Sequence, residues 1–299
     1  ACPPRAEGPA AAEGSCSNLP QVRSWADAGS DDESDSWTLP RECDISSVPF
    51  DSATDWKGLL QNHSLLQRPL RITGLAHFLA AADPSIFAFA SADKLVKPPW
   101  GKLRYEVGDI PYAANFRGEK PVMMGLGEYV RALNRSELGP SAYWFSEHEP
   151  REQPHKKRDI AITDRRVGKQ LERLRRALFK ALGLGEGSEE DQTVQFTLGP
   201  GLTGSPVHFH AAALNFVLMG AKRWALLPVG EGYWSHLPLR LWRREPGAPE
   251  PLECMQRPGD LIYVPRAATH GTVNVGRTMA VSWLLYREAE AFGLPSEDQ

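Results

Sequence analysis

Between Val194 and Leu285 the chain repeats one pattern: short runs rich in Val, Phe, Trp, Leu and Tyr, each bounded by Gly or Pro. The runs are Val194 to Leu198, Pro206 to His210, Asn215 to Met219, Arg223 to Leu227, Asp260 to Val264 and Met279 to Leu285. Short segments of this composition, separated by turn residues, predict an all-β sandwich or barrel. Gly220-Ala-Lys-Arg-Trp224 is expected to be a tight turn from one strand into the next. Side chains alternate along a strand, so His208 and His210, separated by Phe209, share one face. His270 follows the run Gly259-Asp-Leu-Ile-Tyr-Val-Pro265, which enters a strand and stops it. A His-x-His pair alone is more often an accident of surface or core. With a third imidazole it becomes a facial donor set that leaves other positions of a metal ion open.

Three motifs resemble the jumonji-C (JmjC) domain. They are Thr203-Gly-Ser-Pro-Val-His-Phe-His210, Gly220-Ala-Lys-Arg-Trp-Ala-Leu-Leu-Pro228, and Pro258-Gly-Asp-Leu-Ile-Tyr-Val-Pro265 with His270 beyond it. Pro251-Leu-Glu-Cys254 stands ahead of the last of these, and Arg68 to Leu75 and Tyr143-Trp-Phe145 agree more weakly. The likeness covers roughly residues 40 to 290, with specific motifs only after about 196. It implies a mainly β (α+β) protein with helical additions and a double-stranded β-helix core of the jelly-roll or cupin type. It also implies Fe(II) and 2-oxoglutarate as cofactors.

In that family the first motif is His-x-Asp or His-x-Glu, giving two histidines and one carboxylate. Here His210 stands in the carboxylate's place. Three neutral imidazoles leave a dipositive centre, although such a set still binds Zn(II), Fe(II) or Ni(II). For 2-oxoglutarate, the resemblance assigns Lys222 to the far carboxylate, with Ser205 and Ser282 as hydroxyl partners where the family usually has Thr. Asn215 is a further polar contact, and Tyr143 is placed only by the aromatic run around it. Two functions follow. One is an Fe(II)/2-oxoglutarate oxygenase that hydroxylates a protein side chain. The other is an inactive JmjC-fold binding or regulatory protein of the ER lumen, with zinc, or no metal, at the site. A small-molecule cupin dioxygenase with three histidines would leave Lys222 without a role.

The remaining sequence supports this core. Residues 1–37 are Ala, Gly, Ser, Pro and acid and are read as a flexible tail, because they bury too little apolar surface to offset chain entropy. Residues 38–195 are read as supporting strands and helices, 196–290 as the β-helix core and 291–299 as a second tail. A strand is expected at Pro69 to Leu75, and helices at Ser91 to Val96 and Leu126 to Leu133. The second helix has Leu126, Tyr129, Val130 and Leu133 on one stripe. Asp164 to Leu184 carries Val167, Leu171, Leu174, Leu178 and Leu182 at helical steps, with its Arg and Lys face in water and Gly183 at its end. The charged run Ser146 to Asp159 is read as a solvated loop.

A net charge of −3 and a pI near 6.3 offer no field for nucleic acid. No run of eighteen apolar residues predicts a membrane span. Partners are therefore a protein substrate or a protein ligand, and oligomeric state is open. Four cysteines allow three pairings. Cys43 and Cys254 lie in or beside structured segments and are read as one pair, leaving Cys2 with Cys16. Asn62-His-Ser64 and Asn134-Arg-Ser136 are glycosylation sequons. With the start at Ala1, read as a removed signal peptide or an artificial start, these features place the chain in the secretory pathway, most simply the ER lumen. Four free thiols in the cytoplasm are the alternative. The closing Ser-Glu-Asp-Gln is not a retrieval signal.

Overall fold

The structure, a computed structural model, describes residues 43–109, 111, 122–148, 165–185, 192–231, 234–235, 237–242, 244, 247 and 249–292. In order the elements are β1 (Ser46–Pro49), α1 (Trp56–Leu65), β2 (Leu70–Thr73), α2 (Leu75–Ala82), α3 (Ala92–Leu95), β3 (Arg104–Gly108), β4 (Val122–Gly125), α4 (Leu126–Asn134) and β5 (Tyr143–His148). There follow α5 (Arg165–Ala181), β6 (Gln192–Gly199), β7 (Ala212–Leu226), β8 (Leu252–Gln256), β9 (Leu261–Val264), β10 (His270–Leu285) and α6 (Glu288–Phe292). The strands join in the order β1-β2-β9-β7-β10-β6-β5-β3-β4, with β8 also on β7.

Two long strands organise this sheet. β7 and β10 run antiparallel along their length, from Leu226 opposite His270 to Ala212 opposite Leu285. The first part of β7 pairs with β9 and its second part with β8. β7 therefore bends and carries different partners on its two halves while staying on β10, as in the double-stranded β-helix of a cupin, and the protein is mainly β with helical additions. The bend of β7 sits at Gly220, where φ is +71° and a Cβ would stand 2.1 Å from the Arg277 carbonyl oxygen. Opposite it, β10 shifts register between Val275 and Ala280. The turn expected at Gly220 to Trp224 is thus a bend within one strand. Residues on both sides of it stay bonded to β10, so the chain continues instead of reversing. The run Met279 to Leu285 is likewise only the second half of β10.

The strand expected at Pro206 to His210 is irregular. One bridge joins His208 to His270, while Ser205 and Thr203 accept backbone bonds from Thr272 and Asn274. Pro206 has no N–H to give the ladder.

At β6 the sheet has two faces of different chemistry. On β6, Val194, Phe196 and Leu198 pack in the main apolar cluster with helix residues, while Thr193, Gln195 and Thr197 occupy the other face. The helices cover the apolar side. The stripe Leu126, Tyr129, Val130 and Leu133 of α4 is buried, as are Val167, Leu171, Leu174 and Leu178 of α5 and Leu182 just after it. Each such side chain contributes about 1.5–3 kcal/mol by leaving water. One residue departs from the expected wet face of α5. Arg175 is only 2% exposed, since Glu172 pairs with its guanidinium at 2.6 Å and the Phe179 ring lies 5.2 Å from it.

A second cluster gathers Ile45, Ala213, Trp224, Leu226, Cys254, Ile262, Val264, Ala268 and Leu284. Cys43 packs there and is disulfide-bonded to Cys254, across 211 residues of sequence. Ser146 and His148, read as loop, instead end β5, where Ser146 Oγ donates to the Phe196 carbonyl at 3.1 Å. The rest of that charged run, the tail 1–37 with Cys2 and Cys16, and residues 293–299 lie outside the described residues. Among the described residues no helix is long and apolar enough to cross a membrane.

Candidate metal centre

The three histidines meet. His208 and His210 precede β7, His270 opens β10, and each offers one ring nitrogen within 4.8 Å of the others. Their ring centroids are 5.1 Å (208 to 210), 4.4 Å (208 to 270) and 4.7 Å (210 to 270) apart. Phe209 between them turns outward, 39% exposed, and meets Trp234 edge-on at 5.7 Å. The alternation expected of a strand therefore holds even though the backbone is irregular.

What orients each imidazole is the neighbouring main chain. His208 Nδ1 faces the Pro206 carbonyl at 2.8 Å, His210 Nδ1 the Ala211 carbonyl at 2.6 Å, and His270 Nδ1 the Ala268 carbonyl at 2.9 Å. A carbonyl only accepts, so Nδ1 carries the proton in each ring and Nε2 keeps its lone pair. Such hydrogen bonds fix tautomer and ring orientation in metal sites. Burial, and then the neighbouring His210, lower the His208 pKa to about 3. Burial also holds His210 down, and His270 lies well below the ordinary value through burial and its two neighbours. All three rings are thus neutral at pH 7. Three uncharged nitrogen donors suit a divalent transition metal ion.

Beside the histidines lies a buried cation. Lys222, 1% exposed on β7, donates to Tyr143 Oη and to Asn274 Oδ1, each at 3.0 Å. Both partners are neutral, and the described residues around the cavity include no Asp or Glu. Asn274 is fixed from its other end: its Nδ2 donates to Thr203 Oγ1 at 2.8 Å, and that hydroxyl donates to the Pro200 carbonyl at 2.7 Å. Asn215 donates to Ser282 Oγ at 2.6 Å while its own Oδ1, buried, has no partner. A buried ammonium without a counter-ion is a group that a small anion would complete, whereas the orphaned amide oxygen calls for a donor.

One cavity, about 400 Å³ with its open mouth, is lined by His208, His210, His270, Lys222, Ser205, Asn215, Ser282 and Tyr143. The three imidazoles and the buried cation fit a divalent metal ion with a dicarboxylate beside it. The sequons lie elsewhere. Asn62 and Asn134 are exposed on α1 and α4.

Several lining residues escaped the sequence reading. Gln195 and Thr197 of β6, Trp224 of β7 and Thr272 of β10 also face the cavity, and Asn274 holds Lys222. A signal for the first two was present: polar residues at alternate positions between Val194, Phe196 and Leu198. Asn274 gave none, because its partners Lys222 and Thr203 are distant in sequence.

Fold and site together define the class: a cupin-type β-helix with a three-histidine cluster beside a buried lysine. No family model matches the chain. It is 30% identical over 111 residues to the bifunctional arginine demethylase and lysyl-hydroxylase psr-1 of Caenorhabditis briggsae, covering 29% of this chain and 28% of that protein. Against JmjC domain-containing protein 8 of Homo sapiens the figures are 30% over 90 residues, 28% of this chain and 34% of that protein. Psr-1 of Caenorhabditis elegans gives 29% over 111 residues, again 29% and 28%. The match spans about a third or less of these relatives' length. Taken with the fold and the histidines, it shows a likeness to JmjC domain-containing proteins over that stretch.

Proposed function

We propose that this cavity holds Fe(II) and 2-oxoglutarate and that the protein hydroxylates a protein side chain in the secretory pathway. The observation that carries the reading is the convergence of three Nε2 donors and a carboxylate-free Lys222 on one cavity. His208, His210 and His270 would hold the metal. Lys222 would meet the far carboxylate, with Ser205, Asn215, Ser282 and Tyr143 around it; a charge-assisted bond of this kind is about twice as strong as a neutral one. An iron ion so held supplies oxygen activation, in which 2-oxoglutarate, dioxygen and a C–H bond become succinate, carbon dioxide and a hydroxylated product. The chain's own part is positioning. The carbonyls of Pro206, Ala211 and Ala268 aim the imidazoles, and the apolar cluster around Trp224 excludes water from one side.

The activities in psr-1's name, arginine demethylation and lysyl hydroxylation, support chemistry on a protein. The Cys43–Cys254 bond supports an oxidising compartment, where disulfides persist. His210, in place of a carboxylate, favours a second reading: a JmjC-fold binding or regulatory protein of the ER lumen whose site holds zinc, or no metal. Anaerobic calorimetry of 2-oxoglutarate into Fe(II)-loaded protein, followed by succinate release in air with candidate protein substrates, separates them. Binding with turnover establishes the oxygenase, whereas zinc retention without 2-oxoglutarate binding establishes the second reading.

A further inference from the structure

Trp224 lies in the cavity wall, and a residue outside the wall decides where it sits. Gln256, the last residue of β8, is fully buried and does not line the cavity. Its Oε1 accepts from the Trp224 indole N–H at 2.8 Å. Its Nε2 donates to the Asn215 carbonyl at 2.8 Å and to the Asp260 carbonyl at 3.0 Å. In register it stands directly across from Lys222. One amide thus touches both halves of β7, on either side of the bend at Gly220, and ties them to the start of β9.

The geometry has two consequences. The Trp224 ring packs 5.6 Å from His270, tilted by 32°, so the indole's place bounds the imidazole's. The bend of β7 sets how far Asn215 stands from Lys222. No other polar side chain of the described residues bonds the indole N–H. Removing the amide would leave that N–H without its partner and take one donor from each of two carbonyls, of which Asp260 keeps the Val217 N–H at 3.3 Å, and buried polar groups do not stay unpaired cheaply.

We infer that Gln256 is a positioning residue: through Trp224 it fixes His270, and through the Asn215 carbonyl it fixes the spacing between metal donors and Lys222. The part that concerns metal rests on the function proposed above; the part that concerns His270 does not. Residues behind metal ligands typically change affinity about 10- to 100-fold when mutated.

The experiment uses the full chain with Co(II) as probe, together with long-range ¹H–¹⁵N histidine spectra of the metal-free protein. The variants are Gln256→Met, which keeps shape and loses all three bonds, Gln256→Glu, which keeps the acceptor for the indole and loses both donors, and Trp224→Phe, which approaches from the other partner. Gln256→Met and Trp224→Phe are each expected to weaken Co(II) about 10- to 100-fold and to alter its visible spectrum, with Gln256→Glu between them and the parent. The double variant should lose no more than the worse single one. In the metal-free spectra His270 should leave its single Nδ1–H form while His208 keeps it. Unchanged Co(II) affinity and an unchanged His270 signal in folded Gln256→Met and Trp224→Phe overturn the inference, even if thermal stability falls. Should the parent bind no Co(II), the metal reading fails. The His270 signal then decides alone: movement supports the inference and constancy overturns it.

Discussion

Lys222 Nζ stands 3.0 Å from Asn274 Oδ1, and that amide is locked by Thr203 and the Pro200 carbonyl behind it. The chain therefore holds an ammonium in place with neutral groups only. Replacing it by Lys222→Met should weaken 2-oxoglutarate binding to metal-loaded protein by about 2–5 kcal/mol, the usual cost of truncating one member of a buried charged pair. The ligand-free protein should unfold at the same temperature or higher, because a buried charge without a counter-ion stabilises little. Calorimetry and thermal unfolding on the same samples check both halves.

His210 occupies the position at which a carboxylate would lower the charge of the site. His210→Asp should raise succinate formation by about tenfold or more, equivalent to about 1.4 kcal/mol in the barrier. His208→Ala should instead abolish stoichiometric metal. Metal analysis with a coupled succinate assay distinguishes them.

Gly220→Ala forces a side chain into φ +71° and towards the Arg277 carbonyl oxygen, 2.1 Å from the new Cβ. Backbone cannot yield as a side chain can. A loss of at least about 2 kcal/mol is expected, from left-handed strain alone up to 3 kcal/mol. A denaturant titration reads it as a lower midpoint with little change in slope.

The Cys43–Cys254 bond closes a span of 211 residues. Opening it by Cys43→Ser should cost about 2–5 kcal/mol. Thermal scans of the parent with and without a reductant should show the same drop, and the serine variant should be insensitive to the reductant.

The two sequons differ in setting. Asn134 is exposed at the end of α4, and Ser136 follows in a left-handed turn, whereas Asn62 is exposed on α1 but its Ser64 is 5% exposed. In secreting cells, Asn134→Gln should remove a glycosidase-sensitive mobility shift, and Asn62→Gln should change it less.

Much of this site could be read in the sequence because its signals are local. Alternation put His208 and His210 on one face, and α4 and α5 declared their buried stripes at three- and four-residue steps. Glycine misled where it does two jobs. Gly220 has the left-handed backbone of a turn, yet here it bends a strand that both neighbours keep in the sheet. Arg175 looked wet because it sits among charged positions, although Glu172 and Phe179, three residues before and four after it on the same helix, are what cover it. Asn274 and Gln256 were invisible for a different reason: their bonds run to residues far off in the chain, and side-chain periodicity holds no such information.

The same long disulfide bears on how the protein is made. Cys43 emerges from the ribosome well before Cys254, and at about 5–20 residues per second the wait is on the order of 10–40 s. During that interval the early thiol has no correct mate. The bond can close only once β8 has arrived, so its presence certifies that the whole span between the two cysteines has been synthesised.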